Sequence, residues 1–143
     1  MHKVEITRPV KASAETVWSV LSDFGGFLNW AKFDQGEIRV EGKGLGMVRH
    51  LKTSIGELGE QLTSLNHDTR QVGYKVTYGE PIGMKTYEAL ISVIEQTEGF
   101  CEVHWQGHFE PVDAMATEQV RAALSSSYEG MHQALASYSI SLS

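Results

Sequence analysis

The chain has 143 residues, 41% of them hydrophobic and 21% charged, with a formal net charge of −6. That length suits a single domain, residues 1–143, with a sizeable core, and the composition excludes repetitive, low-complexity and fibrous classes. With no run of Lys or Arg, the acidic balance argues against nucleic acid or an anionic membrane as the main partner, because phosphate binding needs clustered cations. The N-terminus "MHKVEITRPVKAS" lacks a signal-like apolar run, and no stretch of 18 apolar residues occurs. A cytoplasmic protein without stable membrane insertion is therefore expected.

In chain order, "HKVEITRPV" alternates as a first strand ended by Pro9. Ser13 has the side chain of a helix N-cap ahead of "AETVWSVLSDF", where Val17, Trp18 and Leu21 share one side. Gly25-Gly26 interrupts, "FLNWAKF" follows as a second short helix, and "EIRVEGKGLG" is a strand running into a glycine-rich turn. That turn, with Gly42, Gly44 and Gly46, lacks both the dinucleotide fingerprint and the Walker lysine, so it is not a nucleotide site, and no cofactor is expected.

"GMVRHLKTSIGELGEQL" reads as a hairpin turning at Thr53–Gly56. Counting back in twos sets Leu51 opposite Leu58, Arg49 opposite Glu60 and Met47 opposite Leu62, all on one face. Four are apolar and two are opposite charges. "RQVGYKVTYGEP" is the next strand, with Val72, Tyr74, Val76 and Tyr78 on one face. "MKTYEALISVIEQTEGFCEVHWQGHFEP" is a long hairpin around Glu98-Gly99, in which Cys101, Val103, Trp105 and Phe109 alternate with polar residues. Cys101 is the single cysteine, so no intrachain disulfide can form, and its place in this strand makes it a small core residue. After Pro111, Val120, Leu124, Tyr128, Met131, Leu135 and Tyr138 recur at three- and four-residue steps, the stripe of one long amphipathic helix. One greasy sheet face and one greasy helix point to an α+β domain whose sheet wraps that helix.

The succession of "PVKASAETVWSVLSDFGGFLNW", "GLGMVRH", "GEQLTSLNHDTRQVGYKV", "VHWQGHFEP" and the closing helix resembles the polyketide cyclase/dehydrase and lipid-transport superfamily, the SRPBCC or START-like group. The resemblance spans roughly residues 3–139. It implies a helix-grip fold: a curved seven-stranded antiparallel sheet around a long C-terminal helix, two short helices after strand 1, and a cavity between sheet and helix. It also implies that the short helices and the glycine-rich turn lie near the cavity mouth, and that a small hydrophobic or amphipathic molecule such as a lipid, quinone or polyketide is bound or carried there. Two alternatives stand beside that reading. One is a cyclase, aromatase or dehydratase using the same pocket; the other is a protein-interaction module whose cavity is filled by side chains.

In such a fold Arg49 and Glu60 point into the cavity. Burying two charges costs several kcal/mol per ion, so stability alone is a poor reason for the pair. Two readings stand side by side: a polar anchor, in which Arg49 offers its fork of donors to a ligand oxygen while Glu60 holds it in place, or a structural ion pair on a rim or edge that water reaches. Tyr74, Tyr78 and Tyr87 offer rings and hydroxyls. Trp105, Phe109, Tyr128 and Met131 sit where strand and helix face each other, and Trp30 stands at the mouth. Glu60 is the one candidate general base, although an arginine partner weakens a carboxylate in that role. His104 and His108 lie roughly 13 Å apart along a strand, too far to share a metal ion.

Overall fold

The computed structural model describes residues 1–33, 35–54 and 56–143. Its elements follow the chain as β1 (His2–Val10), α1 (Ala14–Ser22), α2 (Phe27–Trp30), β2 (Glu37–Glu41), β3 (Val48–Thr53), β4 (Gly56–Asn66), β5 (Gln71–Tyr78), β6 (Met84–Glu95), β7 (Cys101–Pro111) and α3 (Thr117–Ser141). The strands form one antiparallel sheet in the order β1-β7-β6-β5-β4-β3-β2, with β1 and β2 at its edges. The expected α+β helix-grip architecture is present: a seven-stranded sheet, two short helices after the first strand, and a long C-terminal helix against the apolar face. No helix among the described residues is long and apolar enough to cross a membrane.

Pro9 does not end the first strand, which runs on to Val10. β1 is an edge strand paired only with β7, and an edge position tolerates a residue that has no N–H to donate. Ser13 caps α1 as its side chain suggested, with Oγ accepting from the Thr16 N–H at 3.1 Å. The β3–β4 register is the expected one: Arg49 faces Glu60, Leu51 faces Leu58 and Lys52 faces Glu57. The Leu62 N–H also reaches the Met47 carbonyl, at 2.9 Å. Of the turn between these strands, Ile55 lies outside the described residues.

Three register shifts interrupt the ladders, at Thr63 in β4, Thr77 in β5 and Lys85 in β6. Each puts one extra residue on one strand, which bends it and increases its twist, so together they curl the sheet toward α3. The core fills the space between them, with Val103, Trp105, Phe109, Leu124, Tyr128 and Leu135 almost wholly buried.

The buried stripe of α3 is Val120, Leu124, Tyr128, His132, Leu135 and Ser139, so its second half departs from the expected Met131 and Tyr138, which are only partly buried. Residues 131 and 132 both border the inward arc, and hydrogen bonding decides between them. His132 accepts from Trp105 Nε1 at 3.2 Å, while its Nε2 lies 3.2 Å from the Pro9 carbonyl. Both ring nitrogens are thus partnered, which a buried imidazole requires.

Candidate binding cavity

Between the sheet and α3 the space is split in two. The inner part, next to Leu21, Trp30, Val72, Ile91 and Trp105, is a void of only about 10 Å³, room for one water at most. The outer part is an open cavity of about 240 Å³. Phe27, Tyr74 and Met131 line both spaces and form the partition. The outer floor and walls are Leu51, Leu58, Met84, Tyr87 and Leu124. Its mouth is framed by Thr53, Gly56 and Glu57 of the β3–β4 hairpin, by the Glu80-Pro81-Ile82 loop, and by Phe33 and Ser127.

The hairpin places its ion pair at this partition. Arg49 and Glu60 are both buried, and Arg49 Nε donates to Glu60 Oε1 at 2.8 Å. Arg49 Nη1 donates to the Phe24 carbonyl at 3.1 Å, and its Cζ stands 3.9 Å from the Phe24 ring centre, 4.1 Å from that of Phe27 and 4.9 Å from that of Tyr74. A guanidinium stacked among aromatic faces is stabilised by their quadrupoles, and more so when water is excluded. Arg49 thus fastens the turn-and-helix segment Phe24–Trp30 onto β3. Of the two residues expected to anchor a ligand, Arg49 lines the small inner void and Glu60 the larger outer cavity.

The other site candidates divide the same way. Tyr74 and Tyr87 line the open cavity with their rings 6.2 Å apart, edge to face, and Met131 lines it too. Trp30 and Trp105 border the inner void and not the outer cavity, their rings 6.5 Å apart. Phe109 and Tyr128 line neither space, because both are fully buried in the core. The Tyr128 hydroxyl lies 2.5 Å from that of Tyr87, and a Cβ added at Gly107 would meet it at 2.1 Å. Gly107 therefore leaves the gap in β7 into which Tyr128 fits. Burial raises the hydroxyl pKa values of Tyr74, Tyr87 and Tyr128 alike, with Glu60 adding to the effect, so all three stay protonated as neutral hydrogen-bonding groups.

Tyr78 is on the other side of the sheet. The extra residue at Thr77 sets Val76 opposite Glu60 and Tyr78 opposite Gly59, turning the tyrosine outward. There its ring covers Gly59, where a Cβ would come within 2.3 Å, and its hydroxyl lies 2.7 Å from His50 Nδ1. The glycine-rich turn also lies away from the mouth: Gly42, Gly44 and Gly46 do not line the cavity and sit at the opposite end of β3 from Thr53. All three have positive φ, the conformation that a turn here demands of glycine. Sequence reasoning passed over Met84, Glu80, Ile82 and Ser127. "GEPIG" carried a turn signal, but nothing in it told which way the loop folds. Among the described residues no group of His, Cys, Asp and Glu gathers in a way that could hold a metal ion. Cys101 is buried, its thiol pKa pushed up to about 11 by desolvation, as suits an inert core residue.

A seven-stranded sheet gripping a C-terminal helix, with an apolar pocket between them, defines a class of small-molecule-binding folds. The model of the polyketide cyclase / dehydrase and lipid transport family matches residues 1–139, and the chain belongs to that family. No curated protein matches the sequence. Among solved structures, the protein XoxI from Bacillus cereus is similar at 25% identity and a TM-score of 0.85, covering 99% of this chain and 98% of its own. An uncharacterised Bacillus thuringiensis protein is similar at 25% identity and a TM-score of 0.82, over 97% and 99% of the two chains. Norcoclaurine synthase from Thalictrum flavum, solved with dopamine and hydroxybenzaldehyde, shares the fold at 16% identity and a TM-score of 0.78, over 98% of this chain and 87% of its own.

Proposed function

We propose that this protein binds a small, largely apolar molecule of one or two rings in the outer cavity, with a hydroxyl or N–H of the ligand donating to Glu60. The observation that carries this reading is a cavity of about 240 Å³ with apolar walls and one buried carboxylate at its inner end. Pockets of drug-sized ligands run from about 300 to 1,000 Å³, and a cavity of about 150 Å³ already takes a benzene. A compact polyketide-like or quinone-like ring system therefore suits this volume, whereas a diacyl lipid does not. Apolar burial supplies the affinity, at roughly 25 cal/mol per Å² before association costs are subtracted. Arg49 compensates the Glu60 charge from behind, so the carboxylate remains an acceptor within the pocket.

Calorimetric titration with naphthol and with naphthalene tests the reading. A hydrogen bond to a charged acceptor is worth about 1.5–3 kcal/mol, so naphthol is expected to bind at least about tenfold more tightly, and Ser127→Trp, which fills the cavity, is expected to abolish both. Equal affinities would remove Glu60 as the polar contact. No binding of either probe would remove the pocket reading.

A further inference from the structure

Tyr87 of β6 and Tyr128 of α3 share a hydrogen bond, and their protons outnumber the acceptors the core gives them. The two hydroxyls lie 2.5 Å apart, and Tyr128 is wholly buried. Were Tyr128 the acceptor, its own proton would be enclosed in the core with nothing to receive it, a state that folded proteins avoid. Tyr128 therefore donates and Tyr87 accepts.

That leaves the Tyr87 proton over. It faces the cavity from Tyr87 or is donated to Tyr74, whose ring lies 6.2 Å away, edge to face; in the second case the Tyr74 proton is the one left over. Both residues line the outer cavity and both are more than nine-tenths buried. A linear chain of hydroxyls ends in one spare donor. Here the closed end is Tyr128 and the open end is the cavity. Burial keeps all three hydroxyls protonated, so the donor is not lost to ionisation. Glu60 does not take it up: among the described residues, the hydrogen bond to Glu60 comes from Arg49 Nε.

The sheet sets the spacing of the two polar groups. Glu60 faces Val76 across β4 and β5. The β5–β6 register, carried one residue beyond Lys75–Glu88, puts Tyr87 on the other side of Val76. The carboxylate and the spare tyrosine proton thus rise from strands two spacings apart, about 10 Å along the sheet. Leu51, Leu58, Met84 and Leu124 supply apolar wall around them.

We infer that the ligand is held at two points: a carbonyl oxygen accepts from the Tyr87–Tyr74 end of the hydroxyl chain while a hydroxyl or N–H on the far side of the ring donates to Glu60. The class selected is a neutral ring compound bearing both groups. A ring that displaces water from these residues without replacing its hydrogen bonds loses affinity, so a donor alone or an acceptor alone binds less well. The inference rests on the outer cavity being the ligand site.

The test uses four probes on one bicyclic frame: tetralin, tetralol, tetralone and the hydroxytetralone with its hydroxyl and carbonyl para to each other. In calorimetric titration, tetralone is expected to bind about fivefold more tightly than tetralin, and hydroxytetralone about fivefold more tightly than tetralol, the worth of one neutral hydrogen bond. The Tyr74→Phe/Tyr87→Phe/Tyr128→Phe variant removes the whole chain and strands no partner. There both carbonyl ratios are expected to fall to within about twofold, while tetralol keeps its advantage over tetralin. A second reading needs no variant: the infrared carbonyl stretch of tetralone bound to the parent protein is expected below its position in cyclohexane. An unshifted stretch, or equal affinities for tetralone and tetralin, overturns the inference and leaves the pocket reading in place. A carbonyl advantage that persists in the triple variant removes the tyrosines as its source and overturns it as well. If none of the four probes binds, the pocket reading falls and takes this inference with it.

Discussion

The two halves of the space between sheet and helix are built from the same kinds of residue and end in opposite states. On the inner side, Trp30, Trp105, Phe24 and Arg49 pack until only about 10 Å³ remains. On the outer side, Leu51, Met84, Tyr87 and Leu124 stand back from one another and leave about 240 Å³. One ion pair spans the boundary, its cation on the closed side and its anion on the open side. A buried pair adds little stability over an apolar replacement, so its value here is positional. Arg49 holds the Phe24–Trp30 segment down with one hydrogen bond and two ring contacts, while Glu60 lines the outer cavity.

The largest expected effect breaks that boundary. Arg49→Met strands Glu60 as a buried, unpaired charge, and urea unfolding is expected to show a loss of about 3–5 kcal/mol. Adding Glu60→Leu should recover most of it; a single variant as stable as the parent would mean that the pair is solvated. The next largest effect lies in the closed core. Gly107→Ala forces a Cβ onto the Tyr128 hydroxyl, an overpacking cost of about 1–3 kcal/mol. The same substitution in a Tyr128→Phe background should cost less, and an equal cost in both backgrounds would show that the hydroxyl is not the obstacle.

On the open side the contrast reverses. Ser127→Trp should abolish naphthol binding while thermal unfolding shows a stability change within about 1 kcal/mol, because the new side chain enters space that is already empty. A smaller effect sharpens the account of the core under acid. Burial holds the His132 pKa below its ordinary value, against the raising influence of the Pro9 carbonyl and Glu129. Below about pH 6.5 the unfolded chain therefore takes a proton that the folded one resists. His132 thus contributes stability above that pH and loses it as the pH falls, so His132→Gln should flatten the decline in stability between about pH 7 and 5.5. An unchanged slope would assign the acid sensitivity to other groups. The smallest effect is at the mouth, where Ile82 has φ of 58°. Relief of a left-handed conformation is worth roughly 1–2 kcal/mol and glycine's entropy returns part of it, so Ile82→Gly should stabilise by less than about 1 kcal/mol in thermal unfolding. A loss of stability would mean that the Ile82 side chain holds the loop.

What was legible in the sequence depended on periodicity running uninterrupted. The Arg49–Glu60 pairing followed from a short hairpin counted back from its turn, and the long strand through Trp105 from clean alternation. Tyr78 was lost where the extra residue at Thr77 shifted the phase by one, a change that leaves no mark on hydrophobic pattern. Met131 and His132 both border the buried arc of α3, and only the bond from Trp105 decides which one turns inward. The division of the cavity was not legible at all, since it depends on how rings from Phe24 to Trp30 pack against residues more than forty positions away.

The most direct test of the central claim is an NMR titration with naphthol that follows the side chains of both halves. The account predicts shifts in Tyr87, Leu124 and Met84, with Trp30 and Trp105 unmoved. Shifts confined to Trp30 and Trp105 would contradict it, showing that the closed side opens to ligand and that the outer cavity is not the binding site.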